Sequence, residues 1–197
     1  MVKLVENSFR DVNIAFANEL SIICDHLKLN VWKLIKLANL HPRVNILRPG
    51  PGVGGHCIAV DPWFIVDACR EEARIIRTAR EVNDSKPAFV VKKVQQAAAR
   101  FKEPVIGILG LSYKQDIDDM RESPAVEIAH EIKRNSIGKL MVCEPYCLQH
   151  PDFEIFELES VLKEADILLL LVPHQQFKKV NPELLKPKIV IDTCGIW

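Results

Sequence analysis

Cys57 stands one residue beyond a pair of glycines, in the string GPGVGGHCIAVDP that covers residues 50 to 62. His56 precedes the thiol, and Asp61 follows it by four residues. A cysteine on so tight a loop is poorly placed for packing, whereas a thiolate beside a carboxylate can act as a nucleophile. On spacing alone a packing cysteine and a nucleophilic one both stay open. One His and one Cys do not complete a zinc ligand set, and Cys143 with Cys147 lacks a second pair, so no metal site is expected. Gly50, Gly52 and Gly55 also match G-x-G-x-x-G letter for letter. A dinucleotide fingerprint needs a strand ahead and a helix opening at the third glycine. Here a proline-bearing loop comes first, so the glycines, Gly54 and Gly55 included, instead suggest backbone that lets another group approach closely.

Two further sets of residues invite attention. Lys3 and Asn7 are four apart and share one face of an opening helix, where a solvated pair is the ordinary reading. In the second half, GILGLSYKQDIDDMRESP carries Gly107 and Gly110, then Lys114 and Arg121, before a helix that starts at Ser123. A loop at the carboxyl end of a first parallel strand is where doubly wound sheets bind ligands. Lys114 and Arg121 suit phosphate contacts there, and the helix N-terminus at Ser123 adds a site for an anion.

The elements that must hold these residues change period near residue 100. Apolar residues of KLVENSFRDVNIAFANELSIICDHL recur at helical spacing, although no N-cap signal opens the run. LNVWKLIKLANL predicts a second helix capped by Asn30, residues 41 to 62 a loop, and PWFIVDACREEA a helix begun by Pro62. A long helical stretch follows to Phe101, with a kink or restart expected at Ser85 to Pro87. Beyond it, strands at PVIGILGLSY, KLMVCEP, ADILLLLVP and KIVIDT alternate with helices at SPAVEIAHEIKRN and LESVLKEA. That alternation predicts a parallel sheet with crossover connections. The expected organisation is α/β overall: a helical domain over 1–100, then a Rossmann-like α/β domain over 101–197.

Composition bounds the partners. Lys and Arg number 26, as do Asp and Glu, so the formal charge is zero. Nucleic-acid and anionic-membrane binders need a basic surplus, and neither partner is expected. The longest apolar run, Ile167 to Val172, is too short to cross a bilayer. Six cysteines without a secretory leader suggest reduced thiols and a cytoplasmic setting.

Taken together, the three segments KLVENSFRDVNIAFANEL, PGPGVGGHCIAVDPWFI and GLSYKQDIDDMRESPA resemble, in that order, the UDP-glucose/GDP-mannose dehydrogenase family. The resemblance spans the whole length and implies the family's central and C-terminal domains, without its N-terminal NAD-binding domain; alone, such a piece would not complete turnover. It implies a four-electron oxidation of a sugar C6 alcohol to a carboxylate with two NAD+ per turnover. By motif position Cys57 would attack the aldehyde intermediate to give a thiohemiacetal, then a thioester that water hydrolyses. Lys3 would stabilise the oxyanion, Asn7 would position it or a water, and Asp61 would act as base or orient that water. Lys114 would face the substrate and Arg121 the cofactor pyrophosphate, with Arg43 and Arg48 as further contacts for the sugar nucleotide. The form of the cysteine loop implies UDP-N-acetylmannosamine or a related UDP-sugar, with UDP-GlcNAc or UDP-glucose as alternatives, and a homodimer through the helical domain. A non-catalytic UDP-sugar-binding and dimerisation module is the reading from another class. One departure is Cys194, which stands where the family usually has a basic residue and puts a uridine-nucleotide contact in doubt.

Overall fold

A computed structural model describes residues 1–197, which divide into two compact units, Met1–Lys86 and Pro87–Trp197. The division falls inside a long helix rather than after it, so it precedes the change of period near residue 100.

The first unit is helical. Helix α1 (Val2–His26) and α2 (Val31–Ala38) follow the apolar spacing, and Asn30 caps α2 by accepting the Lys33 N–H at 2.9 Å. Residues 40–60 form the loop that carries the glycines. Helix α3 (Asp61–Ala68) opens with Asp61 and Pro62 and packs against α1. It stops well short of Ala73, where the run PWFIVDACREEA would have taken it. The backbone beyond Ala68 turns instead, and Arg77 of the next helix donates to the Arg70 carbonyl at 2.5 Å.

Helix α4 (Arg74–Ala98) then runs unbroken through Pro87. The expected restart at Ser85 does not occur. An interior proline costs about 3 kcal/mol in a helix. Both flanks of Pro87 are anchored, by buried Arg80 and Asn83 before it and by buried Val90, Val91 and Val94 after it.

The second unit is a four-stranded sheet in the order β2-β1-β3-β4, every neighbouring pair parallel. Its strands are β1 (Val105–Leu109), β2 (Lys139–Cys143), β3 (Ile167–Leu170) and β4 (Ile189–Asp192). The central strands β1 and β3 are short apolar runs buried on both faces, as parallel strands covered by crossovers must be, while the edge strands β2 and β4 are partly exposed. Helix α5 (Pro124–Arg134) starts after Ser123, whose Oγ accepts the Ala125 N–H at 3.2 Å. Helix α6 (Leu158–Glu164) packs on β1 and β2, and α7 (Gln175–Lys178) is a single turn that no apolar period foretold. The chain leaves the central strand β1 for β2 on one side, while β3 lies on the other. The carboxyl ends of β1 and β3 therefore flank the point at which such sheets open a crevice.

Candidate functional site

In the first unit, three polar side chains converge on the cysteine turn. Lys3 and Asn7 lie one turn apart on α1, and Asp61 sits in the first turn of α3, where the helix dipole favours a carboxylate. Asn7, which is buried, donates its amide to Asp61 Oδ2 at 2.5 Å. Lys3 Nζ lies 3.2 Å from the same oxygen, with its side chain two-thirds exposed. Arg10, one turn beyond Asn7, donates to the Asn7 side-chain oxygen Oδ1. Cys57 is exposed, and its own carbonyl accepts the Asp61 N–H at 2.8 Å, so thiol and carboxylate belong to one turn. Gly55, two residues ahead of the thiol, has φ +85°, a left-handed conformation that a side chain resists.

The electrostatics tie the four groups together. Hydrogen bonding to Asp61, the Asp61 charge and then the Cys57 thiolate raise the Lys3 ammonium above its usual value. The hydrogen bond from Asn7 holds Asp61 below the ordinary carboxylate range; partial burial opposes this, and Lys3 adds to it. Lys3 and Asn7, which as a sequence pair read most simply as solvated, thus join Asp61 and Cys57 in one cluster. Arg10 is the member that spacing alone did not single out, although it continues the 3, 7, 10 face.

Behind the cluster lies a buried polar ladder between α1, α4 and the glycine loop. Arg80 Nη1 donates to Asp11 Oδ1 at 2.6 Å, and Asn83 Nδ2 donates to the same oxygen at 2.8 Å. Asn18 Nδ2 donates to Asn83 Oδ1 at 2.9 Å, and Asn18 Oδ1 accepts the Gly50 N–H at 2.9 Å. Burial raises the Asp11 carboxyl against the pull of Arg80. The ladder fixes the start of the loop that ends in Cys57. The two loop arginines lie on the 41–50 segment rather than on α1 or α3. Arg43 is exposed, and the Arg48 guanidinium lies 5.5 Å from the Trp32 ring centroid.

In the second unit, the carboxyl edge of the sheet holds a buried Glu144–His174 pair beneath the loop that carries Lys114. Glu144 Oε2 accepts the N–H groups of Leu111 (2.7 Å) and Ser112 (3.1 Å), and Oε1 accepts that of Tyr146 (3.1 Å). Burial alone would raise this carboxyl, but His174 and these backbone donors hold it below the ordinary carboxylate value. Lys114 itself is exposed, as is Arg121, which forks onto Asp119 at 2.9 and 2.7 Å. Gly110, at φ +92°, ends β1 where a Cβ would lie 2.4 Å from Val172 Cβ. Cys194 faces inward, its thiol 3.3 Å from the Leu171 carbonyl, while the Asp192 carboxylate accepts four consecutive N–H groups from Cys194 to Trp197.

These residues do not form a dinucleotide cradle. The only G-x-G-x-x-G string lies in the loop between α2 and α3 with no strand ahead of it, and the first strand-to-helix connection of the sheet is a long loop. No helix of the chain is long and apolar enough to cross a membrane.

A thiol on a glycine turn beside an ammonium, an amide and a carboxylate thus stands in an α/β chain that also has a doubly wound parallel sheet. The chain belongs to the UDP-glucose/GDP-mannose dehydrogenase family: the family's central domain matches residues 1–85 and its UDP-binding domain residues 107–197. It is 60% identical over 201 residues to the NDP-N-acetyl-D-galactosaminuronic acid dehydrogenase of Ralstonia nicotianae, covering 100% of this chain and 48% of that protein. Against the UDP-N-acetyl-D-mannosamine dehydrogenase of Escherichia coli (strain K12) it is 53% identical over 210 residues, covering 100% and 50%. The UDP-N-acetyl-mannosamine dehydrogenase of Staphylococcus aureus has the same fold with a TM-score of 0.88 at 42% identity, over 100% of this chain and 47% of that one. The chain spans about half the length of the curated relatives it matches.

Proposed function

We propose that this chain is the thiol-bearing and nucleotide-holding part of an NAD-dependent UDP-sugar 6-dehydrogenase that acts on a UDP-N-acetylhexosamine. The observation that carries the reading is the convergence of Lys3, Asn7 and Asp61 on the Cys57 turn. In this reading the Cys57 thiolate adds to the C6 carbonyl carbon of the sugar aldehyde. The new S–C bond moves the carbonyl electron pair onto oxygen, and the Lys3 ammonium, with Asn7, stabilises that oxyanion. Between thiohemiacetal and thioester the adduct loses a hydride and a proton, oxidising chemistry that NAD, the general hydride acceptor of the family, would supply; the residues of this chain form no cradle for it. At the thioester stage Asp61 takes a proton from the attacking water, the C–S bond breaks, and the thiolate leaves. Holding the aldehyde as a covalent adduct keeps it from solvent between the two oxidations.

The exposed Lys114, at the carboxyl edge of a doubly wound sheet, supports a role in holding the substrate diphosphate, and the exposed Arg121 on the same loop a contact with the cofactor pyrophosphate. Arg43 and Arg48 are secondary contacts in the same reading. The Ralstonia and Escherichia relatives are both named for N-acetylated sugars, which favours UDP-N-acetylmannosamine or its galacto counterpart over UDP-glucose. A second copy of this chain is the proposed partner of the helical unit. Val5, Phe9, Phe16 and Ile23 are exposed along α1, beside a groove of about 890 Å³ lined by Val12, Phe16, Ile75 and Val82. Six free thiols suit a reducing cytoplasm.

The test of the chemistry is 13C NMR of a UDP-sugar 6-aldehyde labelled at C6 and titrated with the chain. A thiohemiacetal carbon should appear, and should be lost with Cys57→Ala. The same resonance in both proteins, or in neither, refutes the assignment.

A further inference from the structure

His174 is fully buried at the end of β3, and its hydrogen-bond partners fix its tautomer. Nδ1 lies 2.9 Å from the Asp116 backbone nitrogen, which can only donate, so Nδ1 is the acceptor. The proton is then on Nε2, which faces Glu144 Oε2 at 3.2 Å and Ser112 Oγ at 3.4 Å. Ser112 Oγ in turn donates to the Lys114 carbonyl at 2.6 Å. Lys114 is therefore bracketed: the residues two before and two after it both touch one imidazole, while its own side chain stays exposed. Asp116 is held at φ +60°, a left-handed conformation uncommon outside glycine, and its carboxylate accepts Gln175 N–H at 2.9 Å and Tyr146 O–H at 3.1 Å. Strain held in place by surrounding bonds is a mark of positions that serve function rather than stability. A buried polar cluster is also a poor choice for stability alone, since apolar packing in the same volume does as well or better.

We propose that His174, backed by Glu144, is the positioning residue of the nucleotide site, setting the backbone of residues 112–116 so that Lys114 meets the diphosphate. The inference rests on the reading of the carboxyl edge as the place where the nucleotide binds. It assigns the imidazole no contact with the ligand; its action is through the loop.

Two substitutions separate its two bonds. In His174→Gln the amide nitrogen replaces Nε2 and keeps the donor to Glu144, but the acceptor for the Asp116 N–H is lost. In His174→Asn the amide oxygen replaces Nδ1 and keeps the loop acceptor, while Glu144 loses its partner. Calorimetry with UDP on the 197-residue chain should find about tenfold weaker binding for His174→Gln and nearly unchanged binding for His174→Asn. Urea unfolding should rank them the other way, with His174→Asn the less stable. A merely structural histidine would make affinity follow stability, and that result overturns the proposal. In a Lys114→Ala background, His174→Gln should cause no further loss; a full additional loss overturns it as well. UDP binding that is equal in the parent chain and His174→Gln overturns the positioning role alone. No UDP binding by the parent chain overturns the nucleotide reading and this proposal with it.

Discussion

Gly110→Ala tests the geometry of the sheet's carboxyl edge with the smallest possible change, one methyl group. Two costs can be worked from the structure. The residue sits at φ +92°, and a left-handed backbone costs an L-residue about 1–2 kcal/mol. The new Cβ would lie 2.4 Å from Val172 Cβ, 2.8 Å from its Cγ2 and 3.0 Å from its backbone nitrogen. Favourable carbon contacts sit near 3.5–4.0 Å, and an extra methyl in a packed site costs about 1–3 kcal/mol. The sum is a destabilisation of about 2–5 kcal/mol. Because the backbone nitrogen of Val172 is among the obstacles, the end of β1 must move, taking with it the Leu111 and Ser112 amides that Glu144 holds. UDP affinity should therefore fall together with stability. Urea unfolding followed through Trp197, whose indole donates to the Phe177 carbonyl at 3.0 Å, reports on this unit. Adding Val172→Gly, which removes both the Cβ and the Cγ2 from the path of the new methyl, should return most of the steric share and leave the backbone share, giving a favourable coupling of about 1–3 kcal/mol in the double-mutant cycle. A loss below about 1 kcal/mol for Gly110→Ala, or strict additivity with Val172→Gly, would refute the reasoning.

Three other outcomes follow from the first unit. Asn7→Leu removes the largest influence holding Asp61 low, so the Asp61 carboxyl should titrate at higher pH by 13C NMR. Because a depressed carboxylate contributes stability above its unfolded value and loses it as pH falls through its folded value, acid should disrupt the cluster earlier in this variant. Asp11→Ala should cost about 3 kcal/mol or more in urea unfolding, since it strands a buried guanidinium, with Asp84 keeping one of its nitrogens paired. Phe9→Glu with Phe16→Glu should shift sedimentation from the proposed dimer to monomer while circular dichroism stays unchanged; a parent chain that sediments as a monomer refutes the proposed partner.

Much of the architecture was legible because local chemistry and tertiary demand agree. Asn30 and Ser123 cap the helices they precede, and four short apolar runs become four parallel strands. The failures occur where distant groups decide. Pro87 does not break its helix because buried residues on both sides hold it, and no local signal carries that information. The run after Pro62 ends early because its backbone turns at Cys69. The cysteine loop and the Lys114 loop stood out by composition, since glycines beside a thiol and charges after a strand are visible without a fold. Arg10, Glu144 and His174 did not stand out. A buried histidine and glutamate thirty residues apart look like any surface pair until the sheet brings β2 and β3 to either side of β1.

The ladder behind the glycine loop has a direction. The Gly50 N–H can only give a hydrogen bond, so the Asn18 carbonyl must face it and the Asn18 amide must face Asn83. Asn83 is thereby committed to offer its own amide to Asp11, whose carboxylate can only receive. One main-chain hydrogen thus sets the orientation of two side-chain amides in succession. Aspartate is no substitute at 18 or 83 despite its matching shape, because it would set two lone pairs against each other inside the protein. Proline, which stands at 49 and 51 on either side, is barred from position 50 because it would remove the hydrogen that the whole row is aligned to receive.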